Sequence, residues 1–310
     1  MSKKMRNVVM LLALQTGAGV AATPTTAANA VLAQNVSAQP VSAEFAKRNN
    51  VKPYLGNMGS VQVAVHAEIS FDVELAGAGT AGTAPKYGPL LRACAFSETI
   101  TAGTSVVYAP ITNSMECATL HYILDGVLYK MTDAQGTVSF ELNAKGIPVM
   151  KYRFIGLYST PSDVAPPASV DYSGFKDPVA VNAANTPTMA LHGFNGKTQS
   201  FSLDMANTLV YRNLVNYEGI MITDRQPTGS MTMELESVAT KNWYTAIAAG
   251  TLGALAITHG KTAGNIIELA CPKVQLLDPS ISDSDGIAML TTKLEIQPNT
   301  GNDEFILTVR

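Results

Sequence analysis

The chain has little cysteine, little charge and no excess of basic residues, and each shortage excludes a class of protein. Three cysteines, Cys94, Cys117 and Cys271, are spread over 310 residues without a CxxC pair. Neither a disulfide framework nor a zinc site is indicated, and buried thiols are expected. Charged residues make up only 15% and the formal net charge is -3. Tight binding to nucleic-acid phosphates needs a basic surface, so any DNA partner is expected to be held loosely.

No stretch approaches the roughly 20 apolar residues that a membrane-spanning helix needs. The N-terminus still resembles a secretory signal, with Lys3, Lys4 and Arg6 before the apolar run 8–14. Small residues follow up to Ala30, as they do before a signal cleavage site. The same run also fits a short buried strand that ends at a Gly-rich turn. The residues alone leave both interpretations open.

Catalytic motifs are also missing, and the one glycine motif has the wrong context. Residues 77–82 read GAGTAG, a literal GxGxxG between a strand and a helix. A dinucleotide-binding strand is continuously apolar, whereas the strand before this motif alternates. Pro85 and Pro89 interrupt the region where a phosphate-binding helix would begin. We expect a turning or flexible glycine loop, no cofactor, no metal ion and no catalytic residue; the protein is predicted not to be an enzyme.

The clearest pattern that is present is strict apolar–polar alternation over residues 61–75. Period two predicts a strand with one buried and one wet face. At about 3.3 Å per residue it would be roughly 50 Å long, far beyond the usual strand. Shorter alternating runs follow at residues 120–129, 137–142 and 150–154, and helical patterns are confined to about 87–96 and 241–255. The predicted class is mainly β, a β-sandwich or barrel with short flanking helices.

A proline-rich, aperiodic stretch at residues 160–187 divides the chain. The segments on its two sides follow the same order of patterns. Glu74-Leu75 aligns with Glu234-Leu235, and the segment that starts at Gly126 aligns with the one that starts at Gly264. This order predicts that one fold is duplicated in the chain. The predicted organisation is a first β domain with the N-terminal strand at 1–165, a linker or loop at 166–200, and a second β domain at 201–310.

Two stretches resemble a known family. Residues 73–110 contain VELAGAGTAGTAP, PLLRACAFSET and VYAP, and residues 125–158 contain DGVLYK, AQGTV, GIP and FIGLY, in that order. They resemble the major tail tube proteins of long, non-contractile tailed bacteriophages (the siphophage tail tube family) and related prophages. The resemblance is strongest over residues 61–166 and weaker in the C-terminal half.

The resemblance implies a structural virion protein, made in the host cytoplasm, that polymerises as stacked rings into the tail tube through which DNA is ejected. The implied fold is a β-sandwich with a helix beside it and a long loop or hairpin reaching the next ring. Two copies of the fold per chain would give homotrimeric, pseudo-hexameric rings, which we prefer; one copy would need hexameric rings. Implied partners are the tape measure protein, the tail terminator and distal tail proteins, and phage DNA in non-specific passage, without a membrane.

Within such a tube, the strand at 61–75 is the predicted wall. Its polar face is expected to line the lumen with negative charge, through Glu68, Asp72 and Glu74, although plain solvent exposure of these carboxylates stays open. Contacts between rings are predicted for the glycine loop 76–84 and the segment 97–117, at Gly77, Gly79, Gly82, Ser97 and Tyr108.

The family resemblance favours a retained N-terminus, since such proteins begin with a short apolar strand followed by a turn like that at residues 21–24. The alternative is a secreted or periplasmic β-sandwich adhesin or pilus-like subunit. It is supported by the signal-like start and the low charge, and it predicts a chain that begins after about Ala30.

Overall fold

The computed structural model describes residues 2–310, which consist mainly of antiparallel strands. The elements of the first half are β1 (Val8–Leu14), β2 (Ala30–Val31), β3 (Gln34–Lys47), β4 (Ser60–Glu74), α1 (Gly88–Arg92), β5 (Phe96–Thr101), β6 (Ser105–Pro110), β7 (Ala118–Leu124), β8 (Val127–Asn143), β9 (Val149–Tyr158) and β10 (Ser162–Asp163). Those of the second half are β11 (Thr188–Leu191), β12 (Phe194–Asn195), β13 (Thr198–Asp204), β14 (Asn207–Leu214), β15 (Tyr217–Arg225), β16 (Thr228–Glu234), α2 (Trp243–Ala248), β17 (Gly253–His259), β18 (Ile267–Ser284), β19 (Ile287–Gln297) and β20 (Ile306–Val309). The predicted mainly β class is confirmed.

The long strand predicted from alternation is β4. Its odd-numbered residues from Ala67 to Val73 are buried in the core, while the even-numbered residues between them are only partly covered. The run at 120–129 is not one strand but a hairpin of β7 and β8. Asp125 and Gly126 form its turn with φ of 46° and 85°, the left-handed conformation that a tight hairpin turn requires.

Both helices are shorter than their sequence patterns predict. The first spans Gly88–Arg92 and the chain then turns at Ala95, whose φ is 64°. The second begins after Asn242, whose side chain accepts a 3.0 Å hydrogen bond from the backbone N–H of Thr245. It ends before Gly250, and the chain enters β17 at Gly253. None of the helices in residues 2–310 is long and apolar enough to cross a membrane.

The apolar run near the N-terminus is strand β1. It pairs with β7 along its full length and with β2 on its other side. Met10, Leu11 and Leu12 are buried. The strand interpretation of residues 8–14 is therefore the one that the structure shows.

The two halves share one order of strand pairing. In the first half the neighbours run β2, β1, β7, β8, β9, β4, β3. In the second half they run β12, β11, β17, β18, β19, β16, β13, again all antiparallel. Each half also carries one short helix, after β4 and after β16 respectively. The β5–β6 hairpin lies outside this shared order, and the β14–β15 hairpin lies between β13 and β16, where the first half has the outer ends of β3 and β4.

Two connections join the halves into one sheet with a common core. Strand β13 pairs with the end of β8, and β20 pairs with both β6 and β18. Phe140 and Phe305 pack at 4.8 Å between ring centroids within this core. Strands β11 and β12 lie inside the stretch predicted as a linker at 166–200 but pair with the second half. The division into two domains stays a prediction.

Candidate functional site

The candidate surface is the side of the sheet that faces away from the core. Strands β4, β9, β8, β13, β16 and β19 are consecutive neighbours, so their outward side chains form one continuous surface, the polar face. Seven acidic and four basic residues of these strands lie on it: Glu68, Asp72, Glu74, Glu141, Asp204, Glu234 and Glu295, with Lys130, Lys151, Arg153 and Lys293. Lys197, just before β13, adds a fifth positive charge through its 2.6 Å ion pair with Glu234. The polar face therefore carries an excess of negative charge.

The structure places the three predicted lumen residues together on this face, with different partners. Glu68 accepts a 2.7 Å hydrogen bond from Arg153 and lies 3.2 Å from the ring of His66. Burial by itself raises the pKa of Glu68, but the hydrogen bonds from Arg153 and His66 outweigh it, so the pKa is lowered overall. Its charge is thus matched by a guanidinium.

Asp72 and Glu74 have neutral partners instead. Asp72 accepts a 2.8 Å hydrogen bond from the side-chain amide of Asn35, and Glu74 accepts a 2.6 Å hydrogen bond from Gln34. Both donors lie on β3, next to β4. Amide donors hold a carboxylate in place without cancelling its charge, so these two residues contribute more to the negative surface than Glu68 does.

Sequence reasoning missed the acidic residues that other strands add to the same face. Glu141 of β8 and Asp204 of β13 are brought beside the β4 carboxylates only through the pairing of β8 with β9 and β13. Alternation around Phe140 and Leu203 marks both strands locally, but their position beside β4 depends on pairings between distant segments. Lys151 binds Glu141 at 2.6 Å and partly offsets its charge.

The glycine loop contacts the second half of its own chain. The Gly77 N–H donates a 2.7 Å hydrogen bond to the side chain of Asn265, and the Gly79 N–H donates a 2.8 Å bond to the Gly264 carbonyl. A Cβ at Gly77 would collide with the backbone of Gly264, and Gly82 has a φ of 70°. These glycines therefore permit a close approach of two backbones. Their contact between rings stays a prediction.

The β5–β6 hairpin holds the other two predicted contact residues. Ser97 is half-buried and donates a 3.0 Å hydrogen bond to the Ala109 carbonyl. Tyr108 is fully buried, and its hydroxyl donates a 2.7 Å hydrogen bond to Glu98. Since β6 lies between β5 and β20, alternation turns Tyr108 into the core. Its side chain has no free surface in the single subunit, and the contact of this hairpin with another ring stays a prediction.

Several strand edges carry no partner within residues 2–310, and two of them belong to long strands of the main sheet. Strand β3 pairs with β4 alone, and β18 beyond Val274 pairs with β19 alone. Residues 40–66, which comprise the ends of β3 and β4 and the loop between them, form a hairpin that we call the arm. Its exposed apolar residues are Val41, Phe45, Val51, Tyr54, Leu55, Val61 and Val63. Open edges and exposed apolar side chains favour association with further chains.

No metal-binding group of three or more His, Cys, Asp or Glu residues is found in the described part of the chain, residues 2–310. None of the curated proteins matches the sequence. The family model described as phage tail tube protein matches residues 5–306. This match covers nearly the whole chain, both halves of the sheet included. The protein is accordingly a structural component of the bacteriophage virion, and the chain belongs to the phage tail tube protein family.

Proposed function

We propose that the protein polymerises as stacked rings into the tube of a long, non-contractile phage tail, the conduit for DNA ejection. The family match over residues 5–306 carries this proposal. The two open strand edges support it, because pairing with another chain would satisfy backbone groups that the single subunit leaves to water. The role is mechanical rather than enzymatic.

A ring of three chains is the preferred assembly. The shared pairing order of the two halves supports a duplicated fold, so three chains would supply six copies around the tube axis. Hexameric rings of six chains are the alternative. By family, further contacts are proposed with the tape measure protein inside the tube and with the tail terminator and distal tail proteins at its ends.

The polar face is proposed as the inner wall. Its acidic excess would repel the phosphates of passing DNA and so keep the genome from adhering during ejection. Asp72 and Glu74, whose partners are amides, are the strongest contributors on β4. The loose interaction with DNA expected from the net charge of -3 fits the same role.

The direct experiment is negative-stain electron microscopy of the purified full-length protein at high concentration, with the intact mass measured on the same sample. Uniform hollow tubes or rings built from the uncleaved chain are expected. A monodisperse monomer that lacks its first thirty or so residues would contradict the proposal and favour the secreted adhesin.

A further inference from the structure

Resting on the proposed function, we propose that neighbouring subunits are joined by a copy of the seam that joins the two halves of one subunit. In this seam, β3 of one subunit pairs antiparallel with the part of β18 beyond Val274 in the next subunit. The partner is a second copy of this chain, and both edges are among those that the single subunit leaves open. The register can be read from the internal seam.

The internal seam lies between β8 and β13. Strand β7 covers one edge of β8 only as far as Ala134, and β13 takes the same edge from Ser139 to Asn143. Strand β9 occupies the opposite edge. One long strand thus pairs with two strands in succession, and the second of them, β13, is the last strand in the pairing order of the other half.

Strand β18 has the same arrangement with its second partner missing. Strand β17 covers one edge of β18 as far as Val274, and β19 occupies the opposite edge up to Ser284. From Gln275 onwards the first edge is unpaired in the described residues. The shared strand order matches β8 with β18 and β13 with β3, so the missing partner corresponds to β3.

Pairing across the sheet fixes which residues of β8 and β18 correspond. Glu74 of β4 corresponds to Glu234 of β16, each at the end of its strand. Across β9, Glu74 is aligned with Glu141 of β8. Across β19, Glu234 is aligned with Ser282 of β18. Glu141 and Ser282 are therefore equivalent.

The equivalence of β4 and β16 also fixes which residues of β3 and β13 correspond. Ser70 of β4 and Ser230 of β16 stand four residues before the two glutamates. Ser37 of β3 lies opposite Ser70, and Ser202 of β13 lies opposite Ser230. Ser37 and Ser202 are therefore equivalent.

In the internal seam Ser202 lies opposite Glu141. The equivalent pair between subunits is Ser37 opposite Ser282. Side chains of directly opposed antiparallel residues lie on one face with Cβ atoms about 4.5–5.5 Å apart, which makes this pair suitable for a distance test.

The apolar residues next to this pair support the same register. Leu203 lies opposite Phe140 in the internal seam, and both are fully buried. Their equivalents are Ala38 and Ile281. Ile281 is 61% exposed in the single subunit, an unusual state for an isoleucine on a strand that matches a core position. Pairing with a second chain would cover it.

The hairpins beyond the seam extend the correspondence. The β14–β15 hairpin lies over the first half, where Ile220 and Ile222 are buried and the Ile222 N–H donates a 3.1 Å hydrogen bond to Gln135. The arm is the corresponding hairpin of the first half. Gln135 is aligned across β9 with Glu68, and Gln275 is aligned across β19 with Thr228, the equivalent of Glu68, so Gln275 takes the position of Gln135. The arm is therefore placed on β18 and β19 of the neighbouring subunit, with its exposed apolar residues facing those two strands.

The test is disulfide trapping in assembled tubes of the Ser37→Cys/Ser282→Cys double variant, oxidised with copper phenanthroline in air. We expect covalent species on a non-reducing gel that end at three subunits. The Ser37→Cys/Ser284→Cys variant is the register control, because a shift of two residues moves the sulfurs beyond bonding distance. Each single variant should stay uncrosslinked.

The native thiols should not interfere with this test. All three cysteines are buried, and burial raises the pKa of Cys117 to about 11 and that of Cys271 to about 12. Thiolate, the reactive form, is therefore scarce at neutral pH.

Normal tubes without crosslinks in the double variant, or equal crosslinking of the register control, would overturn the seam while the tube proposal stands. A ladder that reaches six subunits would support the seam and overturn the three-chain ring. Failure of the unmodified protein to form rings or tubes would overturn the proposed function, and the seam with it.

Discussion

At the scale of single residues, the three carboxylates of β4 are unequal in their electrostatic effect. The charge of Glu68 is matched by Arg153, while Asp72 and Glu74 are held by the amides of Asn35 and Gln34. Arg153 itself comes from β9, so the local alternation of β4 contains no hint of it. The negative potential of β4 is thus concentrated at fewer residues than its sequence pattern indicates.

Charge reversal at Asp72 and Glu74 tests the lumen role. The Asp72→Lys/Glu74→Lys variant should still assemble, because both side chains lie outside the core, but DNA should leave the particle more slowly. The measurement is the rate of DNA release from phage carrying the variant, followed with a DNA-binding dye. A matched control is Asp163→Lys/Asp177→Lys, which changes the net charge equally at exposed positions outside the polar face. Equal release rates for both variants would argue against an acidic lumen.

At the scale of elements, the halves of the molecule are held together by loops as well as by strands. The glycine loop after β4 hydrogen bonds to residues 264–265 before β18, at the point where the two halves meet. The loop has the letters of a dinucleotide motif, yet its backbone N–H groups bind protein rather than phosphate. Glycine is needed there because two backbones come closer than a Cβ would allow.

Substitution of Gly264 tests this contact. Gly264 has a φ of 88°, and a Cβ there would collide with the backbone of Gly79. Gly286 has a φ of 81° but meets nothing within 4 Å, so Gly286→Ala reports the backbone strain alone, about 1–3 kcal/mol. Urea denaturation should show a larger loss of unfolding free energy for Gly264→Ala than for Gly286→Ala. Equal losses would mean that the loop contact adds no stability.

At the scale of the whole molecule, exposed apolar residues are concentrated where a further chain would pair. The arm carries seven of them, and Ile281 and Ile287 lie at the hairpin of β18 and β19. Burial of such side chains stabilises an assembly by roughly 25 cal/mol per Å² of apolar surface. The arm and the β18–β19 hairpin therefore hold nine of the 21 exposed large apolar residues found in residues 2–310.

The arm is expected to be needed for assembly but not for folding. Val63, in the arm, is 52% exposed, and Val238, outside it, is 56% exposed. Substitution of either by Asp should change the unfolding free energy of the subunit by no more than about 0.5 kcal/mol, as is usual at exposed sites. Electron microscopy should show tubes for Val238→Asp and none for Val63→Asp. Tubes in both variants would remove the arm from the interface.

The sequence by itself determined the β class, the length and buried side of β4, the turn at Asp125-Gly126 and the family. Each of these depends on local spacing or on residues close together in the chain: alternation selects a face, and Asp-Gly tolerates a positive φ. The strand order that the two halves share could also be suspected from the sequence, because Glu74 and Glu234 hold equivalent positions in it.

Only the tertiary structure decided which strands meet. The seam of β8 with β13, the partner of the glycine loop and the burial of Tyr108 all depend on contacts between segments separated by about 60 to 200 residues. Alternation indicates that one face of a strand is buried, but it does not indicate which element covers that face. Every strand edge also offers the same backbone donors and acceptors. The choice among those edges was made by the packing of the complete core.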